Sequence, residues 1–381
     1  VQQTEPSTVF ASSTVTVKPG ATASGFTDSG ATIYVSSGAV LFGETINGGT
    51  VYDSGVVNSS TVLSGATVLV GSGGLVSSST VLSSGLLQVG SVGSAYYTNV
   101  SSGGTLLVGT SGFGYHDTVS SGGSEILSGL PNQAAMYNND NELAGTILAG
   151  GTLYIDSGAI ANGENVSGTE IVSSGGFSEF NAIYSGGSLV TTSGALLDVL
   201  IVSSGASVAI VSGATLGPSI DDTNNTEGAV VYSGGTLTML SGAVLNSGHV
   251  EPGGVLNLYA GEVASNIFTN SGSAGATPAT INLNGATITM VSDATSDGYG
   301  VINFGSVAGG VVTQQFTTAP GGTLLDNNTV SGFLGSGDTI DLATITSSAG
   351  LVSGVVGSGG IGTIYDGANT YTIDFAGVAS G

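Results

Sequence analysis

Residues 65 to 85 read GATVLVGSGGLVSSSTVLSSG, where short runs alternating apolar and polar residues each end in a Ser-Gly turn. Alternation of this kind predicts strands with one buried face, and the Ser-Gly clusters predict turns between them. Such strands are too short to bury that face alone. The pattern returns every 19 residues: Val62, Val81, Val100 and Val119 fall in one column, and Val70, Val89, Val108 and Leu127 in another. Gly74, Gly93 and Gly112 follow the same step, as do Ser64, Ser83, Ser102 and Ser121. A fixed short period of this kind belongs to a solenoid, in which each coil buries its neighbour.

The expected fold is therefore all-β, a right-handed parallel β-helix (β-solenoid) of about 20 coils with repeats of roughly 19 residues. Coils stacked at about 4.8 Å would make the valine columns interior ladders and the glycine columns corners that need positive φ. The register breaks at LPNQAAMYNNDNELA and at GPSIDDTNNTEGAV, which predicts surface loops near 130–149 and 217–228. Residues 1–19 alternate like a strand and are expected to cap the solenoid or to pair with another subunit. Residues 20–260 carry the Ser/Gly repeat. From 261 to 381 the Ser-Gly cadence gives way to longer runs such as ATINLNGATITMVSD, predicting wider coils and a C-terminal cap.

Composition narrows the function. Of 381 residues 67 are glycine, and Lys18 is the single Lys or Arg against 25 Asp and Glu, for a formal charge of -24. Phosphate neutralisation needs basic residues in number, so nucleic acid is excluded as a partner, and attachment to anionic lipid is disfavoured. No apolar run approaches the roughly 20 residues of a spanning helix, so no direct membrane insertion is expected. With no cysteine, disulfides and thiolate chemistry are absent. The opening VQQTEPSTVF has no signal-peptide character, so Val1 is expected to follow a processing site if the protein is exported.

The VSSGG and VLSGAT turns at a 19-residue cadence resemble the AIDA-type repeats of autotransporter adhesin passengers over roughly residues 20 to 260. The resemblance implies an exported parallel β-helix at a bacterial surface, engaged in adhesion or aggregation and in some members glycosylated on Ser or Thr. GSGDTIDL at 335 to 342 resembles the ends of secreted bacterial β-solenoids. Residues 262–381 are too short and glycine-rich for the translocator barrel of that family, so a cleaved passenger or another export route is expected.

His116 and Asp117 stand among serines, and so raise the question of a catalytic triad. On the 19-residue grid His116 lies under Ser59, Ser78 and Tyr97, and Asp117 under Ser60, Ser79 and Thr98. Both columns are read as variable and outward-facing, and adjacent strand residues point to opposite sides, so a His-Asp pair is not expected. His249 near Glu251 has no second histidine for a metal site. Asp221, Asp222 and Glu227, or Asp140 and Glu142, are candidates for glycosidase carboxylates, but both groups sit in Asn-rich loops and are read as solvated acids or a weak calcium site without the spacing of a known calcium loop.

A pectinase-like enzyme acting on polysaccharide is the alternative, but lyases of that fold bind acidic sugars through Lys and Arg. An ice-binding solenoid would need an unbroken threonine array, and Thr61, Thr80 and Thr118 are interrupted by Asn99. The expectation is an extracellular, non-catalytic adhesin or fibre subunit with no catalytic, cofactor-binding or metal residues. Its expected partners are copies of itself and, secondarily, host or bacterial surface glycans. As pH falls toward the sequence pI of 4.1, weaker self-repulsion should favour lateral association.

Overall fold

The computed structural model describes residues 8–128 apart from Ser91, then 145–217 and 228–270, and stretches between 276 and 375. The candidate loop acids Asp140, Glu142, Asp221, Asp222 and Glu227 lie outside the described residues. The chain divides into two compact units, one of residues 1–182 with 186–190 and one of residues 183–185 with 191–381. Both are parallel β-solenoids, and no helix occurs among the described residues.

In the first unit a long-strand sheet stacks nine strands, from Thr14–Val17 to Thr169–Val172, each pairing in parallel with the same strand of the next coil. The 19-residue columns are rungs of this ladder: Val68, Leu87 and Leu106 pair in succession, as do Val70, Val89 and Val108. Ile33, Val51, Val68, Leu87 and Leu106 are wholly buried, each contributing about 1.5–3 kcal/mol from removal of apolar surface from water. A short-strand sheet carries Val62, Val81, Val100 and Val119, all buried. A third sheet runs through six strands, from Thr22–Ser24 to Phe113–Tyr115. Both valine columns are thus interior ladders.

The glycine columns have a different cause from the one expected. Positive φ falls one residue earlier, at Gly73, Val92 and Ser111 (φ 76, 59 and 59). Gly74, Gly93 and Gly112 are instead confined by the neighbouring coil. A methyl at Gly93 would lie 3.0 Å from Val70 Cγ1, and one at Gly112 would lie 2.9 Å from the Val89 carbonyl. Close approach of coils, not backbone hand, selects glycine there.

In the second unit the long-strand stack has six strands: Ser207–Ile210, Thr236–Met239, Val255–Tyr259, Thr280–Asn284, Val301–Phe304 and Thr329–Ser331. Among the described residues these nine and six strands, with Ser188–Thr191 as one more of the same sheet, fall short of the about 20 coils expected. The chain is not spent at a uniform rate, because the second-unit strands begin at 207, 236, 255, 280, 301 and 329, mostly more than 19 residues apart. Beyond them Val352–Val356, Ile361–Asp366 and Asn369–Phe375 form an antiparallel meander.

Candidate functional site: the His116–Asp117 corner and the interior acids

Just before its short strands the first unit turns through a left-handed residue, at Gly25, Gly43, Ser59, Ser78, Tyr97 and His116 between the third and short-strand sheets and at Gly163 and Phe180 within the latter, with φ from 51 to 78. Here the structural need is for positive φ, and asparagine-like or small residues are not the only ones to meet it. The N–H of the turning residue still donates to the next coil, as from Tyr97 to the Tyr115 carbonyl at 2.9 Å. The following N–H is rotated out of the backbone ladder and must find another acceptor.

A side chain of the next coil supplies it. Phe26 N–H donates to Glu44 Oε2 at 2.7 Å, Glu44 to Ser60 Oγ at 3.3 Å, and Ser60 to Ser79 Oγ at 3.2 Å. Thr98 N–H donates to Asp117 Oδ1 at 2.6 Å, and Glu164 N–H to Asn181 Oδ1 at 2.8 Å. The column holding Asp117 therefore faces inward as a polar ladder, which overturns its reading as a variable outward position. Asp117 is buried while His116 is exposed, and the His116 ring stacks on Tyr97 at 5.3 Å with 8° between planes. The two side chains diverge, and no His-Asp pair forms.

Asp117 is one of a row of interior acids. Glu125 and Glu170 stand in the inner column of the long-strand sheet, where Leu106 and Leu153 are their neighbours across the ladder. The space for Glu125 comes from the third sheet, whose inward column shrinks along Val76, Ala95 and Gly114. A methyl at Gly114 would meet Asp117 Oδ2 at 3.0 Å and Glu125 Oε1 at 3.3 Å, so both carboxyls occupy the volume the glycine leaves. Glu170 Oε1 accepts from Asn181 Nδ2 at 3.0 Å, and the same amide donates to Ser178 Oγ at 2.9 Å. Glu164 is half-buried, with its Oε2 enclosed and unbonded. Asp117 Oδ2 and Glu170 Oε2 are likewise enclosed without a partner.

Burial pushes the Asp117 carboxyl up to about 7, against the pull of the Thr98 N–H. Glu125 is raised well above the usual range, first by burial and then by repulsion from Asp117 and Glu164. Glu164 is raised in the same way by burial and by Glu170, and Glu170 by burial against its bonds to Ser178 and Asn181. Elsewhere, burial lifts Glu44 to about 7, Asp53 to about 6 and Glu262 to about 8. Near neutrality the folded chain thus carries less charge than the formal -24. The 19-residue grid held the signal for Glu125, since SEIL at 124–127 stands where TLLV stands at 105–108, whereas TEIV at 169–172 is off the grid and joins the column only through strand pairing.

His249 tilts against Phe268 at 4.9 Å, and Glu251 accepts from Asn270. Among the described residues no three His, Cys, Asp or Glu gather to hold a metal ion.

The outer face of the first unit's long-strand sheet has two columns. One runs Thr14, Thr32, Thr50, Thr67, Leu86, Thr105, Ser124, Thr152 and Thr169, and the other Thr16, Tyr34, Tyr52, Leu69, Gln88, Leu107, Ile126, Tyr154 and Ile171. Not one position is charged. Tyr34 and Tyr52 stack at 5.1 Å and are each 43% exposed.

No protein-family model matches the chain, and no curated protein matches it. Among solved structures it is similar to one described as the crystal structure of a TibC-catalyzed hyper-glycosylated TibA55-350 fragment. The identity is 20%, the TM-score 0.40, and the match covers 89% of this chain and 98% of that one. Likeness at that level carries no argument.

Proposed function

We propose that the protein is an extracellular, non-catalytic structural β-solenoid, a surface adhesin or the subunit of a self-assembling fibre, which supports cell adhesion, aggregation or a biofilm matrix. The observation that carries this reading is the uncharged outer face of nine coils on a chain of formal charge -24. Like-charge repulsion opposes contact between copies over an acidic surface. It is weakest on a face that carries no charge, and there tyrosine, leucine and isoleucine gain about 25 cal/mol per Å² when covered.

Nine strands at about 4.8 Å, each of four residues at about 3.3 Å, span roughly 500 Å² per copy. Two such faces approach the about 1,000 Å² of a specific interface. A second copy is therefore the primary partner, and neutral surface glycans, which stack on tyrosine without needing basic residues, are the secondary one. Residues 1–19 and the insertions near 130–149 and 217–228 are assigned to assembly and to ligand contact respectively.

Sedimentation velocity over a range of concentrations tests the reading. The native protein should associate, and Tyr52→Asp with Leu69→Asp should weaken association at least tenfold with an unchanged circular dichroism spectrum. A native protein that stays monomeric and fails to clump cells displaying it would overturn the proposal. Electron microscopy then separates the two forms: ordered filaments mark a fibre subunit, and dispersed particles that agglutinate cells mark an adhesin.

A further inference from the structure

Four of the first unit's acids, the buried Asp117, Glu125 and Glu170 and the half-buried Glu164, are not used by the surface reading, and they are costly to keep. Ionised carboxylates buried without counter-charge are destabilising by far more than a neutral hydrogen-bonded acid. Nothing nearby balances them: Lys18, the chain's one Lys or Arg, belongs to the first coil, where the turn after Thr14–Val17 begins. The groups of the row meet one another and two neutral polar side chains: Glu125 on Ser124–Leu127, Glu164 in the corner and Glu170 on Thr169–Val172, with Ser178 and Asn181 bonded beside Glu170, and Glu179, next to Ser178 in the chain, accepting from Asn162. None is basic: Tyr115 lies on the other face of its strand from Gly114, stacked on Tyr96, and the His116 imidazole stacks outside on Tyr97.

Their placement is also built rather than incidental. Gly114 stands where Val76 and Ala95 stand in preceding coils, and its missing side chain leaves the volume in which Asp117 Oδ2 and Glu125 Oε1 meet. Two carboxyls sharing such a space cannot both ionise at low cost, whereas one or both as neutral acids can donate as well as accept.

We propose that Asp117, Glu125, Glu164 and Glu170 form a proton-dependent lock: the stacked strands of residues 105–128 and 145–182 are held closed while these carboxyls are neutral acids, and they open as the protons leave. In acid the row behaves as a polar, uncharged part of the core. As protons are lost, repulsion within the row works against the stacking of neighbouring coils. The sign follows from proton binding. The folded state holds protons that the unfolded chain releases above about pH 4. Stability is therefore full below about pH 4 and falls as the pH rises toward the Asp117 value of about 7.

Native-state hydrogen exchange of the full chain, corrected for intrinsic rates, tests this on the strands Thr152–Ile155 and Thr169–Val172, with Ser207–Ile210 in the second unit as internal reference. For each carboxyl kept neutral, opening should become about tenfold easier per pH unit between roughly pH 5 and 7. The triple variant Asp117→Asn, Glu125→Gln and Glu170→Gln, which mimics the neutral acids, should flatten that slope in the first unit. The slope should persist in about 1 M salt, which screens surface repulsion to about 3 Å but does not reach the interior.

A flat native profile, or an undiminished slope in the variant, would overturn the proposal. Recovery of protection on adding calcium at pH 8 would overturn it as well, by making the row a cation site. Should the variant fail to fold, infrared spectroscopy of the native protein decides. A carbonyl stretch of buried neutral carboxylic acid must persist at pH 6, and its absence there refutes the lock.

Discussion

The long-strand sheets of the two units share an inner face and differ on the outer one. Inside, Ile33, Val51 and Val68 in the first unit correspond in kind to Val208, Leu237 and Leu256 in the second, all buried. Outside, the first unit shows Tyr34, Tyr52, Leu69, Leu107, Ile126 and Tyr154, whereas the second shows Thr238, Asn257, Asn282, Asn303 and Ser331 in successive rungs. These join into a side-chain ladder. Asn257 donates to Thr238 at 3.2 Å, Asn282 to Asn257 at 2.7 Å, Asn303 to Asn282 at 3.2 Å, and Ser331 to Asn303 at 3.2 Å. An amide ladder satisfies its polar groups along the stacking direction and gains little from a partner. An apolar column has no such internal use for its surface, and water is a poor neighbour for it.

The interiors differ in the opposite sense. Asp117, Glu125 and Glu170 are grouped in the first unit's core with the half-buried Glu164 beside them, while the buried carboxyls of the second unit among the described residues are Asp198 and Glu262, the latter raised by burial to about 8. The unit with the apolar outside is thus the one with the acidic inside.

Transplanting an acid gives the largest expected effect. Leu256→Glu places in the second unit what Glu125 is in the first, in an inner column where Leu237 and Ile281 are its neighbours. It should cost about 4 kcal/mol at pH 7.5 and clearly less at pH 4 by urea denaturation followed at each pH. A loss equal at both pH values would mean that volume, not charge, sets the price of an interior acid.

A smaller effect is expected from breaking the ladder. Asn282→Ala removes two side-chain hydrogen bonds and should cost about 1–2 kcal/mol, seen as a lowered thermal midpoint, with self-association unchanged. Loss of association in this variant would erase the distinction between the two outer faces. The smallest effect belongs to the aromatic corner. Tyr97→Ala removes the ring against His116 and should cost about 0.5–1 kcal/mol. Calorimetry showing more than that would give the exposed stack a structural weight that its geometry does not suggest.

The repeat made much of this legible in advance. A 19-residue step placed Val62, Val81, Val100 and Val119 on one rung-to-rung column, because parallel stacking turns sequence period directly into spatial adjacency. The same grid misplaced Asp117. Alternation assigns sides correctly only while the chain stays extended, and the positive φ at Ser59, Ser78, Tyr97 and His116 breaks the alternation just before that column. Serine and threonine at Ser60, Ser79 and Thr98 look like solvent-facing residues in a string of letters. In the fold, Ser60 and Ser79 accept otherwise unpaired N–H groups. Glu125 stands 19 residues after Leu106 and so falls in the inner column by period alone, although carboxylates mostly belong outside.

By itself, the sequence determined the architecture: the period, the short alternating runs and the turn residues leave a parallel solenoid as the way to bury so many two- to four-residue strands. It also set the charge balance, one Lys or Arg against 25 Asp and Glu, which opposes contact with a polyanion. Only the tertiary structure decided where the coils turn left-handed, which of the polar columns looks inward, and that the room left by Gly114 is shared by two carboxyls. The reason is physical. Period is a property of spacing along the chain, whereas side, enclosure and the company a carboxyl keeps arise only when residues from different coils are brought against one another.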